Sequence, residues 1–202
     1  MYAVVENNNI TQFINYPKSI VIGDVRYPAK IFTLWSKAEK EAVGIYEIET
    51  DSSNYKDANY YINTNEQYSF ANNKVTKSWG TATPKRLEDE NAVDENGDAI
   101  LQDGVQVINY GLKTEKKRIV KQQASGLLAP TDWYVVKASE VQGYTIPTNI
   151  STFRAEVRTK SNEMETMIDA CTTVDELKAL YEYTEQQDGT ITRPLPEFPK
   201  EI

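Results

Sequence analysis

The sequence predicts an α+β protein, with a mainly antiparallel β domain followed by a helical hairpin or bundle. Residues 1–85 contain short runs of alternating apolar and polar residues, separated by turn-forming Asn and Gly. Beyond residue 111, apolar residues recur with a period of about 3.6 instead of two. Between these regions lies the acidic segment 86–110, which we interpret as an exposed linker with a possible hairpin at Asn96-Gly97.

The β domain, residues 1–85, is interpreted as a domain for attachment or interaction. It opens with a strand, a tight turn at Asn7 to Asn9 and a second strand. Ser36, with Glu39 three residues later, forms a capping box that predicts a short helix, and Gly44 ends that helix. IYEIET is then an alternating strand, and a meander follows it. The residues of the meander that we expect to pack are Tyr68, Phe70, Val75 and Trp79.

The helical domain, residues 111–185, is predicted to hold four helices. The first runs from about Lys113 to just before Pro130, and Thr131 or Asp132 is a candidate cap for the second. Pro147 fits the first turn of the third helix. Thr173 and Glu176 form a capping box for the last. The Pro-rich tail, residues 186–202, is predicted to be extended.

The third helix carries a heptad-like apolar seam. Such a seam packs either on neighbouring helices of the same chain, at 131–142 and 173–184, or on a copy of itself. Its members are Ile150, Phe153, Val157, Met164, Ile168 and Cys171.

The composition argues against several classes of function. The formal net charge of −8 argues against nucleic-acid binding, which needs a cationic surface. The chain contains no His, the commonest general base and metal ligand. The single Cys171 cannot form an internal disulfide, and neither a signal peptide nor a membrane span is visible. We therefore expect no enzyme activity, no membrane partner and folding in a cytoplasm.

Two candidate sites for chemistry are weak. The run Asp94 to Asp98 alternates oxygen-bearing residues as a calcium loop does, but Ala99 and Val105 stand where an EF-hand needs Gly and Glu. A solvated acidic turn is the better interpretation. Cys171 lies on the apolar seam, which indicates a structural thiol. We predict no catalytic, cofactor-binding or metal-binding residues, and no cofactor.

A basic run on the first helix allows two interpretations. It is either a docking surface for an acidic partner, including the acidic linker of its own or a neighbouring chain, or an ordinary solvated helix face. The run consists of Lys113, Lys116, Lys117, Arg118 and Lys121.

The stretch from Leu127 to Arg158 resembles a segment of tailed-phage proteins. It has a leucine pair, Thr-Asp-Trp, a short helix, a turn and a helix with an aromatic-Arg pair. The pattern is similar to the C-terminal region of tail-fibre assembly and tail assembly chaperone proteins, and to small tail proteins of marine phages, especially cyanophages. MYAVVENNNITQFINYPKSI and KIFTLWSKAEKEAVGIYEIE also resemble the opening of such tail proteins. The residues that carry the central match are Leu127, Leu128, Thr131, Asp132, Trp133, Phe153, Arg154, Val157 and Arg158.

In this segment we expect fold-keeping roles. Asp132 would cap a helix, Trp133 would anchor that helix into the hairpin, and Arg154 and Arg158 would pair with carboxylates on other helices.

The resemblance implies a structural component of a phage tail, at the baseplate or the tail-fibre attachment. Its partners would be other tail proteins and further copies of itself, and it would be made in the host bacterial cytoplasm and end in the virion. The large N-terminal β domain favours this over the alternative, a fibre assembly chaperone absent from the mature virion. A weaker alternative is a receptor- or glycan-binding tip, because 13 Tyr against 5 Phe supply many amphipathic rings.

Overall fold

The computed structural model describes residues 1–201, and the chain divides into two compact units, Met1–Pro84 and Lys85–Ile202. Both strands and helices are present, so the predicted α+β class is confirmed. The first unit holds nine strands and two short helices, in the order β1 (Tyr2–Glu6), β2 (Asn9–Ile14), β3 (Ile20–Ile22), β4 (Val25–Tyr27), α1 (Ile31–Leu34), α2 (Lys37–Ala42), β5 (Ile45–Thr50), β6 (Tyr61–Ile62), β7 (Gln67–Ala71), β8 (Lys74–Ser78) and β9 (Thr83–Pro84).

A five-stranded sheet with the order β2-β1-β5-β8-β7 is the framework of the first unit. All its neighbours are antiparallel except β5 and β8, which run parallel. The β1–β2 turn holds Asn7 and Asn8 at positive φ, as the Asn cluster predicted. The two edge strands approach each other, and the rings of Phe13 and Tyr68 lie 4.5 Å apart. The sheet is therefore curled.

Each face of this sheet carries an apolar cluster. Side chains alternate between the faces, as period two requires. Ile45 belongs to a cluster with Val4, Ile14 and residues of α1, whereas Tyr46 and Ile48 belong to a second cluster around Ala3 and Val75. The predicted alternation of IYEIET is thus confirmed. The capping box of Ser36 and Glu39 is also present at the start of α2.

The second unit combines short strand pairs with four helices. Its elements are β10 (Glu90–Asn91), β11 (Leu101–Gln102), β12 (Val105–Gln106), β13 (Ile108–Asn109), α3 (Leu112–Leu128), a 3-10 turn (Ala129–Thr131), α4 (Asp132–Glu140), α5 (Thr148–Ala170), α6 (Val174–Ala179), β14 (Thr184–Glu185) and β15 (Ile191–Thr192). β10 pairs with β13, β11 with β12 and β14 with β15. The capping box of Thr173 and Glu176 starts α6, as predicted.

Segment 86–110, which the sequence suggested as a linker, is part of the second unit. It forms hydrogen bonds with the first residues of α3. The backbone amides of Leu112 and Lys113 donate to the carbonyls of Arg86 and Leu87. The amide of Gly111 donates to Asp89 at 2.7 Å. A carboxylate at the N-terminal end of a helix is favoured, because the amides there lack helical partners. The acidic residues of this segment therefore include helix-capping groups.

The seam of α5 is buried inside the monomer. All six predicted members are buried, and Arg154 and Ser161 are buried with them. α3 is the helix that packs along α5. Of the two options left open by the sequence, packing on the same chain is the one observed. Of the two helices expected to cover the seam, α4 contributes no buried residue, whereas α6 buries Val174 and Leu177.

The tail also differs from a free extended segment. β14 and β15 form a hairpin, after which Leu195 is buried and its amide donates to the carbonyl of Leu180 at 3.0 Å. Phe198 packs against the cluster of Ala124, Phe153 and Val157. The tail is thus attached to the helices by apolar side chains.

Candidate interaction surfaces

The connection between α3 and α4 is fixed by a buried arginine. The side chain of Arg154 is 7% exposed. Its guanidinium donates to the carbonyl of Leu128 at 3.0 Å, to Thr131 Oγ1 at 2.5 Å and to Asp132 Oδ1 at 2.8 Å. Arg154 therefore satisfies a carbonyl at the end of α3 and holds the first residue of α4, which sets where α4 leaves the bundle.

Three expectations for this region are corrected. No side chain caps α4, because the Thr131 hydroxyl donates to Leu128 and Asp132 is engaged by Arg154. Arg158 donates to the carbonyl of Arg154 at 3.3 Å, and its side chain pairs with no carboxylate within residues 1–201. Trp133 does not anchor the helix. It stacks on the ring of neighbouring Tyr134, with the centroids 3.8 Å apart, and stays exposed.

The helix that follows this junction presents a surface that we call the α4 surface, formed by Trp133, Val135, Val136 and Val141. Trp133 and Val136 are each 52% exposed. No residue of α4 is buried. Single exposed apolar side chains are common, but a helix with no buried residue and a run of exposed apolar ones marks a site of interaction. The structure thus identifies a candidate interaction surface on a helix that the sequence predicted to pack in the core.

A second exposed apolar group, the hairpin surface, consists of Val93, Ile100, Leu101 and Val105. Leu101 and Val105 belong to the β11–β12 pair, where each faces a Gln on the opposite strand. Because directly opposed residues share a face, Leu101 and Val105 lie on opposite faces of this hairpin. Both are exposed, Val105 at 69%. The hairpin therefore projects with an apolar residue on each side.

The basic run of α3 is used within the unit. Lys117 pairs with Asp169 at 2.7 Å and Lys121 with Glu165 at 3.2 Å, both on α5. The hydrogen bond to Asp169 raises the pKa of Lys117. Lys113 bonds to the backbone of Asp169 and to Glu88 in segment 86–110. Lys113 thus contacts the acidic segment of its own chain, which was one of the interpretations of the run, whereas Lys117 and Lys121 join α3 to α5.

The acidic turn at Asp94 has the geometry of an Asx turn. One carboxylate oxygen of Asp94 accepts from the amides of Asn96 and Asp98, each at 2.9 Å. The amide of Gly97 donates to the Asp94 carbonyl, and Gly97 has φ +88°. These amide bonds, first that of Asp98, lower the pKa of the Asp94 carboxyl. The carboxylate oxygen of Asp94 that accepts these bonds is thus directed at the backbone of the turn. This agrees with the interpretation of the segment as a solvated acidic turn.

Cys171 ends the buried seam and its thiol contacts the carbonyl of Met167 at 3.4 Å. Burial is the main cause that raises the pKa of this thiol. A raised pKa keeps the sulfur protonated at neutral pH, which makes it a poor nucleophile. Within residues 1–201, no three Cys, Asp or Glu side chains are grouped closely enough to hold a metal ion, and no helix could cross a bilayer.

An aromatic row lies on the first unit. Lys77 lies over the rings of Tyr68 and Trp79, with Nζ at 5.8 and 4.9 Å from their centroids, and Tyr55 packs edge-on against Trp79. Glu66 accepts from Tyr68 Oη and pairs with Lys77 at 2.6 Å. The polar groups of the row are thus bonded to one another where the sheet curls.

Comparison of the chain with protein-family models, curated proteins and solved structures returned no match.

The sequence contains one signal for the α4 surface. WYVV, at residues 133–136, places four consecutive apolar residues in one helix. Consecutive helical residues point in directions about 100° apart, so four in a row cannot share one buried face. Some of them had to be exposed. The hairpin surface had a weaker signal, because Ile100, Leu101 and Val105 lie in a segment made mostly of polar and acidic residues.

Proposed function

We propose that this protein is a non-enzymatic structural component of a phage tail, at the baseplate or the tail-fibre attachment, and that it acts through protein–protein contacts. The observation that supports the contact role most strongly is the pair of projecting elements, α4 and the β11–β12 hairpin. α4 buries no residue, and the hairpin exposes an apolar residue on each face. The tail location is supported by the resemblance of residues 127–158.

Both elements are short of what isolated secondary structure needs. Helices below roughly 12–15 residues are marginal alone in water, and so is a single two-stranded hairpin. α4 has 9 residues and each strand of the hairpin has 2. A partner that covers Trp133 or Val105 would add the apolar burial that these elements lack. Two such surfaces fit a subunit that joins neighbours in an assembly.

The test is mass spectrometry of gradient-purified virions of the phage that encodes the protein, with its copy number measured relative to the tail-tube protein. We expect a stoichiometric signal in a multiple of three or six. Absence from virions together with abundance in the infected lysate would contradict the proposal and indicate an assembly chaperone.

A variant and its matched control test whether the hairpin surface takes part in the contact. Virions carrying Val105→Asp should contain less of the protein, because a charge at the centre of an apolar contact must be desolvated. Val21→Asp is the matched control, since Val21 is also an exposed strand valine. Equal incorporation of the two variants would remove the hairpin surface from the proposed contact.

A further inference from the structure

The face of α4 that points away from the bundle has a distinct pattern. Asp132, Trp133, Val136 and Lys137 fall within one stripe of the helix, because 100° per residue brings positions i and i+4 together, and Glu140 continues the stripe at its C-terminal end. Tyr134 and Ala138, which are half-buried, lie on the other side. The stripe therefore places an apolar pair between a carboxylate and an ammonium group.

We propose that this stripe binds the same stripe of a second copy of the chain, with the two α4 helices antiparallel about a two-fold axis. This inference depends on the proposed role in protein–protein contacts and names one partner, the protein itself. With the axis between Tyr134 and Val135, Trp133 of each copy faces Val136 of the other. The same register places Lys137 of each copy opposite Asp132 of the other.

Charge supports a second copy as the occupant. Two chains with a formal net charge of −8 repel each other over most of their surfaces. Residues 132–147 contain two carboxylates, Asp132 and Glu140, and one ammonium group, Lys137, so their net charge is only −1. Repulsion between copies is therefore small where the apolar side chains are exposed.

Lys137 Nζ and Asp132 Oδ2 are available for an ion pair with a second copy. Within residues 1–201 no carboxylate lies within 4.0 Å of Lys137 Nζ, which instead lies over the rings of Tyr144 and Trp133 at 4.5 and 5.6 Å. The Asp132 side chain is 60% exposed and bonds Arg154 through Oδ1 alone. Asp132 Oδ2 can thus accept from a partner without releasing Arg154. A two-fold axis makes this ion pair twice.

The size of the contact predicts its strength. A helix of 9 residues is about 13 Å long. Two such helices, even with Val141 and Tyr144 added, bury less than the roughly 800 Å² per partner of a standard interface. We therefore expect a dimer that depends on protein concentration and separates on dilution.

The experiment is sedimentation velocity of the purified full chain from low micromolar to near-millimolar concentration. The wild type should shift from monomer to dimer. Val136→Asp should stay monomeric over the same range, and Lys137→Glu should dimerise at least tenfold more weakly because two ion pairs become repulsive. Circular dichroism should show that both variants keep the wild-type helix content.

Val21→Asp is the control, because it adds the same charge at an exposed valine outside the α4 surface and the hairpin surface. It should dimerise as the wild type does. A wild type that stays monomeric throughout, a Val136→Asp chain that dimerises normally, or a Val21→Asp chain that stays monomeric would each overturn the inference. A monomeric chain found stoichiometrically in virions would overturn the inference and leave the proposed function standing.

Discussion

At the scale of single residues, Arg154 shows how a charge can organise a junction between helices. Its side chain is buried, yet its hydrogen bonds go to a carbonyl, a hydroxyl and a carboxylate on three consecutive pieces of chain, α3, the 3-10 turn and α4. A buried charge is tolerated when it is paired and hydrogen-bonded. Arg154 occupies a seam position where an aliphatic residue would satisfy packing but leave those acceptors unbonded.

We predict that Arg154→Met lowers the free energy of unfolding by about 2 kcal/mol or more. The volume is nearly kept, but hydrogen bonds from a charged donor are lost, each worth about 1.5–3 kcal/mol. Urea unfolding followed by circular dichroism measures the loss. Arg158→Met is the matched control, one turn along the same helix but exposed, and should change stability by less than about 0.5 kcal/mol. Equal losses in the two variants would contradict this role.

Among single residues, some roles could be predicted from the sequence and others could not. The capping boxes at Ser36 and Thr173 were predicted correctly, because both partners lie within one helical turn. The roles of Asp132 and Trp133 were not, because they depend on a guanidinium 22 residues away and on the direction in which α4 leaves the bundle. Local hydrogen bonding is encoded within a few residues, whereas burial depends on distant segments.

At the scale of elements, α3 and α5 show why a seam is easier to predict than its partner. The spacing of apolar residues defines the buried face of α5, and all six predicted positions are buried. Which helix covers that face is decided by complementarity between segments. Lys117 with Asp169 and Lys121 with Glu165 match only when α3 lies antiparallel to α5. Each charge is unremarkable in its own helix.

The tail is the element whose prediction from composition departs most from the structure. Three Pro residues and no amphipathic period favoured an extended segment. Its attachment depends on two isolated apolar side chains, Leu195 and Phe198, which a periodicity argument cannot detect. Proline here limits the backbone to extended geometry without preventing burial of its neighbours.

We predict that Leu195→Ala lowers the free energy of unfolding of the chain by about 2–4 kcal/mol, the usual cost of truncating a buried leucine. Leu195 is 2% exposed, so the variant leaves a cavity under the tail. Ile191→Ala is the control, because Ile191 lies in the same tail but is 68% exposed and should have little effect. Thermal unfolding followed by circular dichroism compares them. A Leu195→Ala chain as stable as the Ile191→Ala chain would show that the tail contributes nothing to the core.

At the scale of the whole molecule, the first unit contains every strand partner that its sheet needs. The antiparallel β1–β2 hairpin was predictable from the Asn turn, since both strands and the turn are adjacent in sequence. The parallel pairing of β5 with β8 was not, because 23 residues separate Thr50 from Lys74 and no local signal specifies a crossover. The order of strands in the sheet therefore differs from their order in the chain.

We predict that residues 1–84, produced alone, fold to the same sheet, because its five strands and both apolar clusters lie within this segment. Two-dimensional ¹H–¹⁵N NMR should give dispersed amide signals and a cooperative thermal transition should be seen. Gly44→Ala should abolish both, because Gly44 has φ +84° and a Cβ there would lie 2.6 Å from the carbonyl oxygen of Val5.

Gly23→Ala is the control that separates backbone strain from steric clash. Gly23 has φ +56°, but its Cβ would meet nothing within 4 Å, so this fragment should stay folded with roughly 1 kcal/mol less stability. A wild-type fragment with collapsed amide dispersion would show that the first unit depends on the rest of the chain.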